Sequence, residues 1–204
     1  MKNTTENTEN KNPVKRFLDW LWNSDSLLSW IVSLALAFII VKFVFFPLLS
    51  FALATSLPLV VVESSSMEHP GSFVGNVIGS EGSFDIFWQE KGNWYENKNI
   101  EKEEAENWPL RTGFDKGDIM IVYGRGDTEV GDVIIFEANT KHPIIHRVIS
   151  INGNTIETKG DNNPEQLSVE KNISENNIVG KAVFRIPKLG WVKLVFVEIA
   201  NAFR

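Results

Sequence analysis

Histidine is scarce in this 204-residue chain, present only as His69, His142 and His146. His146 lies in the apolar run PIIHRVISI (143–151), which ends at Asn152-Gly153, a dipeptide that signals a two-residue hairpin turn. If those two residues form the turn, Ile151 pairs with Asn154 and His146 faces Lys159. Asp161 is then a diagonal neighbour of His146 on the same sheet face, with Cα atoms roughly 7–8 Å apart. A carboxylate beside an imidazole orients it and stabilises the imidazolium, as a general base requires. The expectation is conditional, because a different turn length shifts the register. Without the hairpin, a lone strand histidine is as readily structural.

A base needs a nucleophile. The chain has no cysteine, which excludes thiolate nucleophiles, disulfides and Cys-ligated metal. His69 and His142 are too few for a metal site, so no metal and no cofactor is expected, and His69 reads as a solvated loop residue. Ser66, in Glu63-Ser64-Ser65-Ser66-Met67, follows a short β-branched run and begins the Gly- and Pro-containing MEHPGSF. A hydroxyl there can stand at a cleft edge, although serine-rich stretches are more often plain loops. Lys159 and Lys42 are the other candidate bases, for a Ser-Lys pair. Lys42 sits in an apolar run and Lys159 reads as a strand charge. Met67 and Phe73 fit a substrate or lipid-facing surface or ordinary core packing.

The elements that would carry these groups follow from composition and periodicity. Residues 1–25 are a polar tail followed by FLDWLWNSDS, whose aromatics beside Lys15 and Arg16 suit a headgroup interface. From Leu27 the chain runs LLSWIVSLALAFIIVKFVFFPLLSFALA, so residues 26–55 are expected to span a membrane, with Pro47 kinking the last turns. Lys15 and Arg16 precede this run, and no Lys or Arg occurs between Lys42 and Lys91, which predicts a cytoplasmic N-terminus and an exterior remainder. Cleavage as a signal peptide after Ala52-Leu53-Ala54 is the lesser alternative, since both charged and apolar regions are too long.

Residues 56–190 are expected to form one mainly β domain. LPLVVV (57–62), GDIMIVYG (117–124), GDVIIF (131–136), PIIHRVISI and NTIETKGDNN (154–163) read as strands or strand hairpins. Residues 71–83 read as a loop. The aromatic, acidic stretch 84–109 reads as a helical insertion, with Asn99 as N-cap and Pro109 as stop. Residues 191–204 are expected to form an amphipathic interfacial segment. Residues 63–204 carry 15 bases and 22 acids, a net charge of about −7, which argues against a nucleic-acid partner.

In order along the chain, SSSM with Pro70, GDIMIVYG, GDVIIF with HPIIHRVISI, TKGDNN, and GKAVFRIPKLGWVK resemble the successive boxes of type I signal peptidases. The resemblance implies a signal-peptidase-like β-barrel or coiled sheet, preceded by one transmembrane helix. Bacterial members place a lysine before the Arg-Val of the third box. This chain has His146 before Arg147-Val148, so it resembles the archaeal and endoplasmic-reticulum kind, and the insertion and acidic exterior favour the archaeal branch. Carried over, the resemblance makes Ser66 the nucleophile, His146 the base, Asp161 the carboxylate, and Ser64 a hydroxyl helping the Ser66 N–H at the oxyanion. Many members have a second aspartate six residues after the GDNN aspartate. Here that position is Leu167, and Glu165 is the nearby acid that a loop shift could bring in. The implied activity is removal of signal peptides, cut after small residues at the first and third positions. Expected partners are secretory precursors, the lipid bilayer and the protein-translocation machinery, at the cell membrane. A non-catalytic membrane-anchored β domain and an exterior Ser-Lys peptidase are the alternatives.

Overall fold

The fold is taken from a computed structural model that describes residues 12–70 and 82–202. Phe73 and most of the loop expected at 71–83 lie outside the described residues; Gly82 and Ser83 already belong to a helix. The chain divides into two units, residues 1–49 and 50–204.

In the first unit, Pro13 opens the helix Pro13–Asn23, and the Asn12 side chain accepts from the Val14 N–H at 3.1 Å. Ser26 caps the next helix by accepting from the Ser29 N–H at 3.2 Å. This helix, Leu27–Leu53, has the length and composition to cross a membrane. Pro47 has no N–H to donate, and just ahead of it the ladder widens to a π turn over Val41–Phe45, with the Phe46 N–H bonded to the Val41 carbonyl.

The second unit is built on seven antiparallel strands: β1 (Leu59–Val61), β2 (Ile119–Tyr123), β3 (Val133–Phe136), β4 (Ile144–Asn152), β5 (Thr155–Lys159), β6 (Ile173–Ser174) and β7 (Ile178–Ile186). Their order across the sheet is β1-β2-β7-β3-β4-β5-β6. All four residues of β3 are buried, so this strand is covered on both faces. Val133 and Ile135 join Val62, Met67, Phe114 and Met120 in one core. Ile134 and Phe136 join Val148, Ile156 and Ile173 in a second. Strand alternation accounts for the division. Met67 is thus a core residue rather than a surface one.

The insertion is helical, as expected, but divided differently. It forms one long helix, Gly82–Glu96, and one short helix, Lys102–Ala105, for which Glu101 stands at the N-cap. Asn99 is not the cap. It adopts φ 61° and turns the chain between the helices, a conformation that asparagine tolerates better than most residues. Phe84, Phe87, Trp88, Tyr95 and Trp108 bury a third core against Ile149 of β4. The C-terminal segment is the helix Trp191–Ala202, with Leu194 buried and Val192, Phe196 and Ile199 exposed.

Candidate active site

β1 leads into a turn held from three sides. The Val62 N–H bonds the Asp118 carbonyl at 2.9 Å, Phe114 N–H bonds the Met67 carbonyl at 3.0 Å, and Asn162 N–H bonds the Ser66 carbonyl at 2.8 Å. With Met67 anchored in the core, the Ser66 hydroxyl is held half-buried, 3.1 Å from the Ser64 hydroxyl. The Ser66 Oγ lies 2.9 Å from Nε2 of His146 on β4.

On the other side of the imidazole, Nδ1 meets Oε1 of Glu170, from a short 3-10 turn over Ser168–Glu170. Glu170 is fully buried; it also accepts from the Thr158 hydroxyl at 3.3 Å and from the Leu167 N–H. A carboxylate at Nδ1 holds the ring proton there and leaves the Nε2 lone pair for the Ser66 hydroxyl.

Asp161 is placed elsewhere, and the hairpin explains why. The turn is Gly153-Asn154, not Asn152-Gly153: Asn152 pairs with Thr155 and Ile151 with Ile156, and Gly153 takes φ 58° at the first turn position. That displacement of two residues would have kept side chains on their expected faces. A bulge between Val148 and Ser150 then adds one more residue, so Lys159 faces Arg147 rather than His146. A one-residue slip sends side chains to the other face. His146 and Arg147, adjacent on β4, point to opposite sides, and Asp161 goes with Arg147.

There Asp161 accepts from Arg147 Nε at 3.0 Å and Nη2 at 2.8 Å, from the Tyr95 hydroxyl at 2.9 Å, and bonds His69 Nε2 at 2.9 Å. Burial by itself would raise the Asp161 pKa. The Arg147 guanidinium, aided by the His69 bond, reverses this and holds the carboxyl well below the usual carboxylate range. Burial lowers the His69 pKa against the pull of Asp161, and burial together with Asp161 raises the Tyr95 phenol. His69 is therefore neutral near pH 7 and donates to Asp161. It is not a solvated loop residue: it is buried and stacked on Phe87 with ring centroids 3.9 Å apart.

Glu165 does not reach His146 either, since its carboxylate accepts from Trp94 Nε1 at 3.1 Å. Lys159, expected as a strand charge, is buried. Its ammonium donates to the Gly160 carbonyl at 3.0 Å and lies 4.9 Å from the centre of the Trp94 ring. Desolvation lowers its pKa to about 8. Glu170 was the carboxylate that sequence reasoning missed. It stands in SVEKN, with no periodicity to mark it, and the one available signal was the absence of an acid at Leu167, which points to Glu165 and Glu170 alike.

A groove of about 570 Å³ opens at Ser66 and His146, lined in part by Leu59, Val61, Ile145 and Leu167. No cluster of His, Asp or Glu suited to a metal occurs among the described residues.

A hydroxyl, an imidazole and a carboxylate bonded in file, the first two lining a largely apolar groove, form the constellation found in serine hydrolases. Residues 105–179 match the family described as signal peptidase, peptidase S26, a stretch that contains His146, Asp161 and Glu170 and begins after Ser66. The chain is also similar to the signal peptidase complex catalytic subunit SEC11 of Zygosaccharomyces rouxii, at 35% identity over 98 residues, covering 42% of this chain and 59% of the relative. The sec11 subunit of Penicillium rubens is 29% identical over 101 residues, covering 44% of this chain and 58% of that protein. The chain thus spans somewhat more than half the length of these curated relatives. On these matches the chain is similar, over part of its length, to signal peptidases of the S26 family and to SEC11 catalytic subunits.

Proposed function

We propose that this protein is a membrane-anchored serine endopeptidase that removes signal peptides from secretory precursors. The observation that carries the reading is the 2.9 Å approach of His146 Nε2 to the Ser66 hydroxyl, in the lining of a largely apolar groove. His146 takes the Ser66 proton as Oγ attacks the scissile carbonyl carbon. The resulting imidazolium returns that proton to the leaving amine as the peptide bond breaks. Water, deprotonated by the same imidazole, then cleaves the acyl ester and regenerates the Ser66 hydroxyl. Ser64 and the Ser66 N–H are the candidate oxyanion donors, each worth about 2.7–4 kcal/mol of barrier.

β1 ends the sheet order, so its outer edge has no strand partner among the described residues. An extended precursor segment would pair with that edge and pass its side chains into the groove. The apolar helix Leu27–Leu53 supports a single-pass anchor. With Lys15 and Arg16 before it, the reading puts the N-terminus in the cytoplasm and the catalytic unit outside, at the cell membrane. Confinement of enzyme and tethered precursor to one bilayer raises their effective concentration. The relatives' membership of a signal peptidase complex makes partner subunits and the translocation machinery natural associates.

The test is processing of a secretory precursor by the membrane-embedded chain. Ser66→Ala and His146→Ala should each lower cleavage on the order of 10⁶-fold, to a small residual rate, without altering expression or melting. Parental cleavage by both variants would refute the reading. Lys159→Met should retain cleavage, whereas loss there with His146→Ala unaffected would establish Ser-Lys chemistry instead.

A further inference from the structure

We infer that Glu170 is the positioning carboxylate of the Ser66–His146 pair and that Asp161 is a structural clamp outside the proton path. The inference rests on the peptidase reading above and adds to it the identity of the acid. Where the resemblance would put a second aspartate stands Leu167, which contributes its backbone N–H, and it donates that N–H to Glu170. The acid is thus moved three residues along the chain, onto a 3-10 turn whose first amide fastens it.

The electrostatics favour the same assignment. A fully buried carboxylate is costly unless a cation or several donors compensate it. Glu170 has the Thr158 hydroxyl and the Leu167 N–H as neutral donors, and His146 is the one ion-pairing partner bonded to it among the described residues. It is therefore poised to be neutralised when His146 takes up the Ser66 proton. Asp161 has no such vacancy. Its two oxygens are already occupied by Arg147, Tyr95 and His69, and a permanent guanidinium neutralises it throughout the cycle.

The experiment uses the full chain in lipid or detergent, with a precursor whose processing requires Ser66. Glu170→Gln keeps the side-chain volume but cannot hold the Nδ1 proton unambiguously. It should lower kcat on the order of 10³- to 10⁴-fold, with KM and the melting temperature little changed. Glu170→Asp should recover part of the loss. In a His146→Ala background, Glu170→Gln should cost nothing further, because residues acting as a unit are not additive. The ¹⁵N resonances of His146 should show the Nδ1-protonated ring in the parent and a mixture of tautomers in Glu170→Gln.

Parental kcat in Glu170→Gln, an undiminished further loss in the His146→Ala background, or loss of the folded melting transition in both Glu170 variants would overturn the inference. Retained processing by Ser66→Ala and His146→Ala would instead overturn the peptidase reading itself, so the two failures are distinguishable.

Discussion

Replacing Asp161 by asparagine separates the roles of Asp161 and Glu170, the two buried carboxylates bonded to Arg147 and His146. The substitution keeps the shape of the side chain and one acceptor oxygen. It removes the charge that faces Arg147, itself fully buried and also bonded to the carbonyls of Pro109, Gly131 and Leu110. Breaking a buried pair by deleting one partner costs about 3–5 kcal/mol, because the remaining charge is left uncompensated. For a unit the size of residues 50–204, each kcal/mol lowers the melting temperature by about 2–4 °C, so Asp161→Asn should melt roughly 6–20 °C below the parent. Because the folded-state pKa of Asp161 is depressed, the pair's contribution is fully present above the ordinary carboxylate range and is lost only as the solution becomes more acidic than that. The parent's advantage over the variant should therefore be flat near neutrality and shrink in strong acid. Melting followed by circular dichroism measures this, with precursor processing assayed at a temperature where both chains are folded. The folded variant should process precursor far faster than Ser66→Ala. If it melted with the parent yet lost turnover completely, Asp161 would belong to the chemistry and the division of roles would be wrong.

Two further outcomes follow from crowding and burial near the site. A Cβ added at Gly160 would lie 2.8 Å from His146 Nε2, against an ordinary contact of 3.4–4 Å, so Gly160→Ala should push the imidazole aside by about half an ångström or more and lower kcat on the order of ten- to a hundredfold; parental kcat in single-turnover assays would show that the site yields elsewhere. Lys159 releases its proton near pH 8 when folded, against an ordinary 10.5. Between those values the unfolded chain binds more protons, so the parent should gain stability relative to Lys159→Met as pH rises from 8 to 10.5. Parallel melting curves against pH in the two chains would contradict that burial effect.

Much of this architecture could be read from local pattern. The apolar run from Leu27, the β-branched stretches that became β1 to β5, and the helical insertion are all short-range signals, set by side-chain period and by Gly, Pro and Asn at the turns. Ser66 and His146 were found because each stands on or just after such an element, in an order that resembles one family. Their 2.9 Å approach is a property of the folded sheet.

The carboxylate was not legible in the same way. The hairpin reading assumed an uninterrupted ladder; Asn152-Gly153-Asn154 offers two turn dipeptides, Asn-Gly and Gly-Asn, and residue type does not announce the bulge near Ile149. One inserted residue was enough to carry Asp161 to the Arg147 face. His69 was misread for a related reason. Its burial depends on Phe87 and Asp161, both distant in the chain, closing over it. Sequence by itself determined the apolar helix and the strands, because those follow from composition and periodicity along a few residues, and it raised Ser66 and His146 as candidates through the order in which their segments resemble one family. Tertiary structure decided which acid meets His146. Strand register and the fastening of a 3-10 turn are set by packing among segments far apart in the chain, and no local pattern encodes their sum.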